Sequence, residues 1–423
     1  MKYNILHAFR ITPFSYLWFS EIFTQIAVNI FNFFLIFVVY SLTKSNTAVS
    51  LAVLSFTLPA VFIGVIAGVY VDRWNKKTVL IVTNLLRALL LILLIPFSAN
   101  LYALYIFSIL FTVVTQFFIP AETPVIPVIV RKKFLYGANA LFGLGIFASI
   151  LVAYVLSGPM LLILGKTNTL LLLALMLGVS SFFVSLIRLP KSYEKKIIQR
   201  TKSVKLAVKE EIISSIRIMN ETREIRRSLI YLAIAQVLIL IVAVLAPGYA
   251  SNILGIAIEE FPLRFIAPAA FGVLVGAVIL IHFLSHVKKE KIITLGILLS
   301  GVSMLILPFG SEIATRNIIQ FFNQLLPGVF DITALHIVMS IAFLLGFANA
   351  LVFVPANTIL QENTTDELRG KVYGVLNTVV GIFSLLPIIL VGSLSDLVGV
   401  TAVIVGLGVF LLIFGAAKVI FRV

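Results

Sequence analysis

Cysteine is absent from the 423 residues, so disulfides and thiolate-held metals are excluded. Charge is scarce as well: 12% of the residues carry one, against about 25% in an ordinary soluble domain. Acidic side chains are the scarcer kind, 17 against 32 Lys and Arg. The few histidines, among them His282, His286 and His336, are too scattered for a metal site. No alternating segments of ten or so residues occur, which excludes a closed β-barrel. There is no His-Glu-x-x-His, no phosphate-binding Gly-x-x-x-x-Gly-Lys-Ser/Thr and no cluster of catalytic residues, all of which argues against an enzyme. Nor is there a nucleotide-binding domain, so ATP could act only through a separate subunit.

What the chain does have is apolar length. It is 61% hydrophobic, and apolar stretches of about 20 residues alternate with short polar breaks, the signature of transmembrane helices. Twelve such spans occur, and unbranched runs such as Leu170–Leu173 favour helix. The first span is too long for a signal-peptide core and lacks a small-residue cleavage site, so it should remain as a helix. The net charge of +15 falls almost entirely on one side: 27 of the 32 basic residues lie in the termini and every second loop. Only Lys44, Lys166, Arg264 and Arg316 fall in the opposite loops, and Arg87 lies inside a span. That split obeys the positive-inside rule and predicts a multi-pass cell-membrane protein with both termini cytoplasmic. Anionic lipid is sufficient partner for the basic face, so nucleic acid is not expected.

The chain also repeats itself. Phe118-Ile-Pro-Ala-Glu-Thr123 returns as Phe353-Val-Pro-Ala-Asn-Thr358, each followed by a basic patch and then Asn-x-x-x-Gly, Asn139 to Gly143 and Asn377 to Gly381. The one long polar stretch, Arg188–Arg227, divides the spans six and six. An even number of crossings returns the chain to the same side, so the repeats are parallel and a binding site is expected between them. The expectation is an all-α polytopic fold of two pseudo-symmetric six-helix bundles, residues 1–190 and 228–423. Residues 191–227 form a cytoplasmic linker in which Val204, Val208, Ile212, Ile216 and Met219 recur at amphipathic-helix spacing. Ile318, Ile319, Phe322, Leu325 and Leu326 make an apolar face in the ninth-to-tenth loop.

Between the second and third spans stands Gly68-Val-Tyr-Val-Asp72-Arg73-Trp-Asn-Lys76-Lys77. Gly68 would allow close helix approach, Asp72 would face a helix N-terminus or an Arg, and Arg73, Lys76 and Lys77 would meet lipid phosphates or acidic partners. This pattern resembles the signature of the major facilitator superfamily, and the resemblance covers essentially the full chain. Pro120-Ala121, Pro127, Ala138-Asn139-Ala140-Leu141, Gly158-Pro159, Asp366-Glu367-Leu368-Arg369-Gly370 and Gly392-x-x-x-Asp396-x-x-Gly399 are similar to its drug-efflux and enterobactin-exporter branch. The resemblance implies that Asp72 latches onto the cytoplasmic start of the eleventh helix. There Thr364-Thr-Asp-Glu367 reads as a capping box and Arg369 as a direct partner. Gly158-Pro159 is taken to interrupt the fifth helix; the resemblance makes it a candidate bend for alternating access, with a plain packing kink as the alternative.

Polar residues within the spans are costly and are candidates for function. Glu21, Gln25, Asn29 and Asn32 follow at spacings that put all four on one face, toward a water-filled cavity or neighbouring helices. A carboxyl about 10 Å deep is cheapest when neutral, which makes Glu21 the leading proton carrier. The branch often has a Gly-Asp pair near Ala27-Val28, absent here. Arg87 lies about 15 Å deep, expected to pair with a carboxylate or helix carbonyls, with a substrate contact as the alternative. The branch commonly has Arg there, preceded by an Asp where this chain has Asn84. Glu122, between Pro120 and Pro124, is expected to contact Arg73 or Lys76, with proton transfer as the alternative. Gln116, Gln236, Asn349 and Asn377 are further cavity candidates. Together these readings predict a monomeric secondary transporter without a cofactor, driven by the proton gradient and exporting amphipathic small molecules. A lipid or lysolipid transporter of the same fold is the alternative. A polytopic membrane enzyme or a transport-inactive partner is more remote.

Overall fold

The structure, a computed structural model, describes residues 9–189, 222–284, 286–310, 333–364 and 369–421. The predicted amphipathic linker helix, the apolar face of the ninth-to-tenth loop and most of the Thr364–Glu367 capping box lie outside the described residues. Among the described residues all long elements are helices: α1 Thr12–Thr43, α2 Asn46–Val71, α3 Lys76–Leu94 and α4 Leu101–Glu122. A single helical run, Leu135–Ser185, is broken at Gly165, where φ is 70° and ψ 178°. Only glycine adopts that backbone without strain, so the run counts as two helices, α5 (135–164) and α6 (166–185). The others are α7 Arg223–Gly248, α8 Ala267–His282, α9 Lys289–Ile306, α10 Ala334–Glu362, α11 Arg369–Val398 and α12 Val400–Phe421. Among the described residues, 11 helical stretches are long and apolar enough to cross a membrane, the broken run counting once.

The polar breaks supply the helix starts. Asn75 accepts from the Thr78 amide to begin α3, Asn100 from Ala103 to begin α4, and Thr222 from Ile225 to begin α7. Thr333 and His336 exchange hydrogen bonds in a capping box at the start of α10. Prolines 59, 120, 159, 247, 355 and 387 sit inside helices, and both proline-containing echo segments fall in α4 and α10.

The chain divides into two compact units. The first holds Met1–Leu42 and Leu51–Ser215; there α3 packs on α4 and α6 around Phe14, Leu17, Leu80, Phe118 and Val184. The second holds Thr43–Ser50 and Ile216–Val423, with α10 packed on α7, α8 and α9. In this unit the backbones come close. A Cβ on Gly272 would collide with the Phe343 carbonyl, and one on Gly346 with that of Ala269. Small residues at such crossings let α8 and α10 meet backbone to backbone.

The N-terminus of α2, expected in the first bundle, belongs instead to the second unit. Asp396 near the end of α11 accepts from the Ser45 hydroxyl at 2.6 Å, the Asn46 and Thr47 amides at 2.8 and 2.9 Å, and the Thr47 hydroxyl at 2.7 Å. Ser45 in turn accepts from the Ala48 amide, so a side-chain cap and a distant carboxylate both satisfy the first amides of α2.

Candidate functional site

Glu21 of α1, Arg87 of α3 and Glu122, the last residue of α4, meet inside the first unit. Arg87 is 0% exposed, Glu21 2% and Glu122 5%. The two carboxyls lie within hydrogen-bonding reach of each other, and the guanidinium attracts both. Glu21 Oε1 also accepts from Gln25 Nε2 at 2.7 Å, while Glu21 Oε2 and Glu122 Oε1 face no fixed donor. An ionised carboxylate can only accept, so two facing carboxyls bond only when one carries a proton. The arrangement can hold one proton between two helices, beside a fixed positive charge.

Arg87 is held on several sides. Its guanidinium donates to Asn84 Oδ1, to the Thr83 carbonyl at 3.4 Å and to Thr115 Oγ1 at 3.5 Å. It lies 4.6 Å from the centre of the Phe118 ring and 5.9 Å from that of Phe111, where ring faces add attraction in a dry setting. Asn84 is itself oriented, because its Nδ2 donates to Ser180 Oγ at 2.7 Å. Ser180 donates to the Ser20 carbonyl at 2.9 Å, and its oxygen lies 2.7 Å from Ser20 Oγ and 2.8 Å from Thr24 Oγ1. This knot of α1, α3 and α6 is missing from the sequence reading. Ser20 and Thr24 flank Glu21, and Asn84 precedes Arg87 by one turn, so spacing was a usable signal for those three. Ser180, on a distant helix, carried none.

One expectation is corrected here. Glu122 does not sit with the basic surface turn; it is buried beside Glu21 and Arg87, because α4 turns this face toward α1 and α3. The polar stripe of α1 forms a ladder: Gln25 donates to Glu21, and Asn29 Nδ2 to the Gln25 carbonyl at 2.8 Å. Asn32, on the same face, is half-buried. Gln116 is buried, its Oε1 close to Gly64 of α2, and Asn349 donates to the Ala235 carbonyl at 3.2 Å. Gln236 is half-buried. The side chains of Asn377 and Arg369 are outside the described residues.

The turn between α2 and α3 differs from expectation in two ways. Lys76 does not face lipid phosphate: it is 4% exposed, and its ammonium donates to the carbonyls of Val71, Asp72 and Trp74. Val71 ends α2 and the other two carbonyls belong to the turn that follows it, so the lysine caps the C-terminal end of this helix. Lys77 likewise donates to the Ser185 carbonyl at the end of α6, at 2.7 Å. Gly68 makes no close helix approach, since a Cβ there would meet nothing within 4 Å. Asp72 is exposed and Arg73 half-buried. Gly158 and Pro159 do not interrupt α5. The helix runs through them, because a proline costs one hydrogen bond but keeps a helical φ, and the break comes at Gly165.

Residues 17–386 match the family model described as Major Facilitator Superfamily. A Bacillus subtilis (strain 168) protein, the uncharacterized MFS-type transporter YkuC, is 28% identical over 153 residues. That match spans 33% of this chain and 36% of the relative. Among solved structures, the nucleoside transporter NupG superposes with a TM-score of 0.71 at 10% identity, covering 96% of this chain and 98% of that one. An auto-inhibited POT family peptide transporter gives 0.68 at 13%, over 97% and 96%. A bacterial homologue of the iron transporter ferroportin gives 0.66 at 14%, over 96% and 98%. At these identities the structures speak for the fold, and the family model covers most of the chain. The protein belongs to the Major Facilitator Superfamily and is a multi-pass membrane transporter of that fold, not an enzyme.

Proposed function

We propose that the protein is a proton-coupled exporter of amphipathic small molecules that works by alternating access. The observation that carries the coupling is the Glu21–Glu122 carboxyl pair beside Arg87, buried within one unit. A transporter that spends a proton gradient needs a group that binds a proton while occluded and releases it elsewhere in the cycle. Two carboxyls sharing a proton next to a guanidinium have that property, because small changes in their separation alter how firmly the proton is held. Gly158 and Pro159 remain candidates for a bend during the cycle, with Gly165 beside them as the second flexible point. The Asp72 turn and Arg369 remain the candidate cytoplasmic latch. Export and an amphipathic cargo are supported by the resemblance of Asp366–Gly370 and Gly392–Gly399 to efflux proteins. They are also supported by the scarcity of charge within the spans.

The test is accumulation of an amphipathic dye panel in pump-deficient cells, with and without a protonophore, for wild type, Glu21→Gln and Glu122→Gln. Wild type should lower accumulation of at least one dye, the protonophore should restore it, and both variants should lose the protonophore-sensitive part. Unchanged accumulation of every dye would end the exporter reading. Full protonophore-sensitive export in both variants would remove the carboxyl pair from coupling.

A further inference from the structure

The knot around Asn84 has a consequence for how many protons the site carries. Arg87 is faced by two ionisable groups, Glu21 from α1 and Glu122 from α4. The side chain that faces Asn84 from α6 is Ser180, a hydroxyl. On its own helix, Arg87 donates to Asn84, a neutral amide. With one guanidinium and two carboxyls, a single bound proton makes the cluster electrically neutral, the cheapest state in a dry core. Loss of that proton leaves one uncompensated negative charge. A second proton leaves one uncompensated positive charge.

Asn84 keeps this count because it is neutral while its oxygen is held on the guanidinium. Ser180 Oγ takes the amide nitrogen as a donor, and the Ser180 hydroxyl proton is already committed to the Ser20 carbonyl. The amide oxygen is thereby turned to the guanidinium, with the Thr24 hydroxyl donating to the same oxygen at 3.4 Å. A carboxylate at this position would still accept from the guanidinium but could not donate to Ser180, and it would divide the guanidinium charge three ways.

Resting on the proton-coupled reading, we infer that Asn84 is the positioning residue that sets the proton count of this site. It presents a neutral oxygen to Arg87, so that the guanidinium acts undivided on Glu21 and Glu122 and the cluster exchanges one proton. Asn84 itself takes no part in proton transfer. Residue 84 therefore tunes the pH range of the transporter without touching the proton.

The experiment follows the C=O stretch of protonated carboxyls by infrared titration of the purified full-length protein in lipid vesicles, which requires no knowledge of the cargo. Wild type should show one titrating buried carboxyl band that is lost over the same range in Glu21→Gln. In Asn84→Asp the midpoint should rise by about 1–3 pH units, the effect of a unit charge at contact distance. Asn84→Ser, which is neutral, should keep the wild-type midpoint. If Asn84→Asp is not recovered folded, Thr115→Asp puts the same charge on another side of the guanidinium and should move the midpoint in the same direction. A wild-type midpoint in the recovered aspartate variant overturns the inference, as does the absence of any titrating buried carboxyl in wild type. A band that behaves as expected, in a protein whose transport ignores a protonophore, instead removes the coupling reading and leaves the proton count standing.

Discussion

Among the described residues, Arg87 is a cation with no exposed surface. A guanidinium with no exposed surface gives up its hydration, a penalty of several kcal/mol even after relaxation. The return comes from Glu21, Glu122, the amide of Asn84 and the Phe118 face 4.6 Å away. Removing the cation alone leaves two buried carboxyls without it. Arg87→Met should therefore destabilise the first unit by about 3–5 kcal/mol, read as lost membrane abundance and a lower melting temperature in detergent. Combining it with Glu21→Gln and Glu122→Gln should recover most of that loss, because a neutral cluster no longer needs the cation. If the triple variant is no better than Arg87→Met, Arg87 acts mainly by packing. The intramembrane positions of Glu21 and Arg87 were legible from the apolar runs around them. Their partnership with Glu122 was not, since Glu122 stands beside a basic turn in sequence and only the rotation of α4 carries it inward.

Helix ends show the same division between local and distant causes. Asn75, Asn100 and Thr222 cap helices through amides three residues ahead, a purely local event. The start of α2 adds a partner 350 residues away, where Asp396 accepts four hydrogen bonds from Ser45, Asn46 and Thr47. Nearby, a Cβ on Gly392 would collide with the Ser50 side chain, and Ser50 donates to the Ile388 carbonyl at 2.8 Å. The glycine admits the contact and the aspartate fastens it. Asp396→Asn replaces one acceptor oxygen with a donor that faces donors. It should cost about 1 kcal/mol, the usual worth of an N-terminal cap, seen as a modest fall in melting temperature. An unchanged melting temperature would show that solvent screens this exposed carboxylate completely. Gly392 and Asp396 stood out in sequence only by resemblance, since nothing local points from them to α2.

For the molecule as a whole, the charge asymmetry makes a prediction that the helices do not. With 27 of 32 basic residues in the termini and alternate loops, both ends should lie in the cytoplasm. A reporter fused to the C-terminus that fluoresces only in the cytoplasm should be bright, and a periplasmic phosphatase fused there inactive. Phosphatase activity at the C-terminus would overturn the assigned orientation and the side on which the Asp72 turn sits. The two contact units share the work unevenly as well. The buried ionisable cluster belongs to the first, while the position of Glu122 in the second echo is held by Asn357.

Apolar runs of membrane-spanning length, separated by capped polar breaks, determined by themselves that this protein is a bundle of about twelve helices. In a bilayer each backbone must satisfy its own hydrogen bonds, so length and hydropathy leave no other solution. The signature turn then pointed to the superfamily. Tertiary structure alone decided that Lys76 caps α2 instead of facing lipid, that the break after α5 falls at Gly165, and that Asp396 holds the start of α2. It also decided that Glu21 finds Glu122 and Arg87. The reason is the same in each case: a helix period tells which residues share a face, but which faces meet depends on rotation and packing between helices distant in sequence.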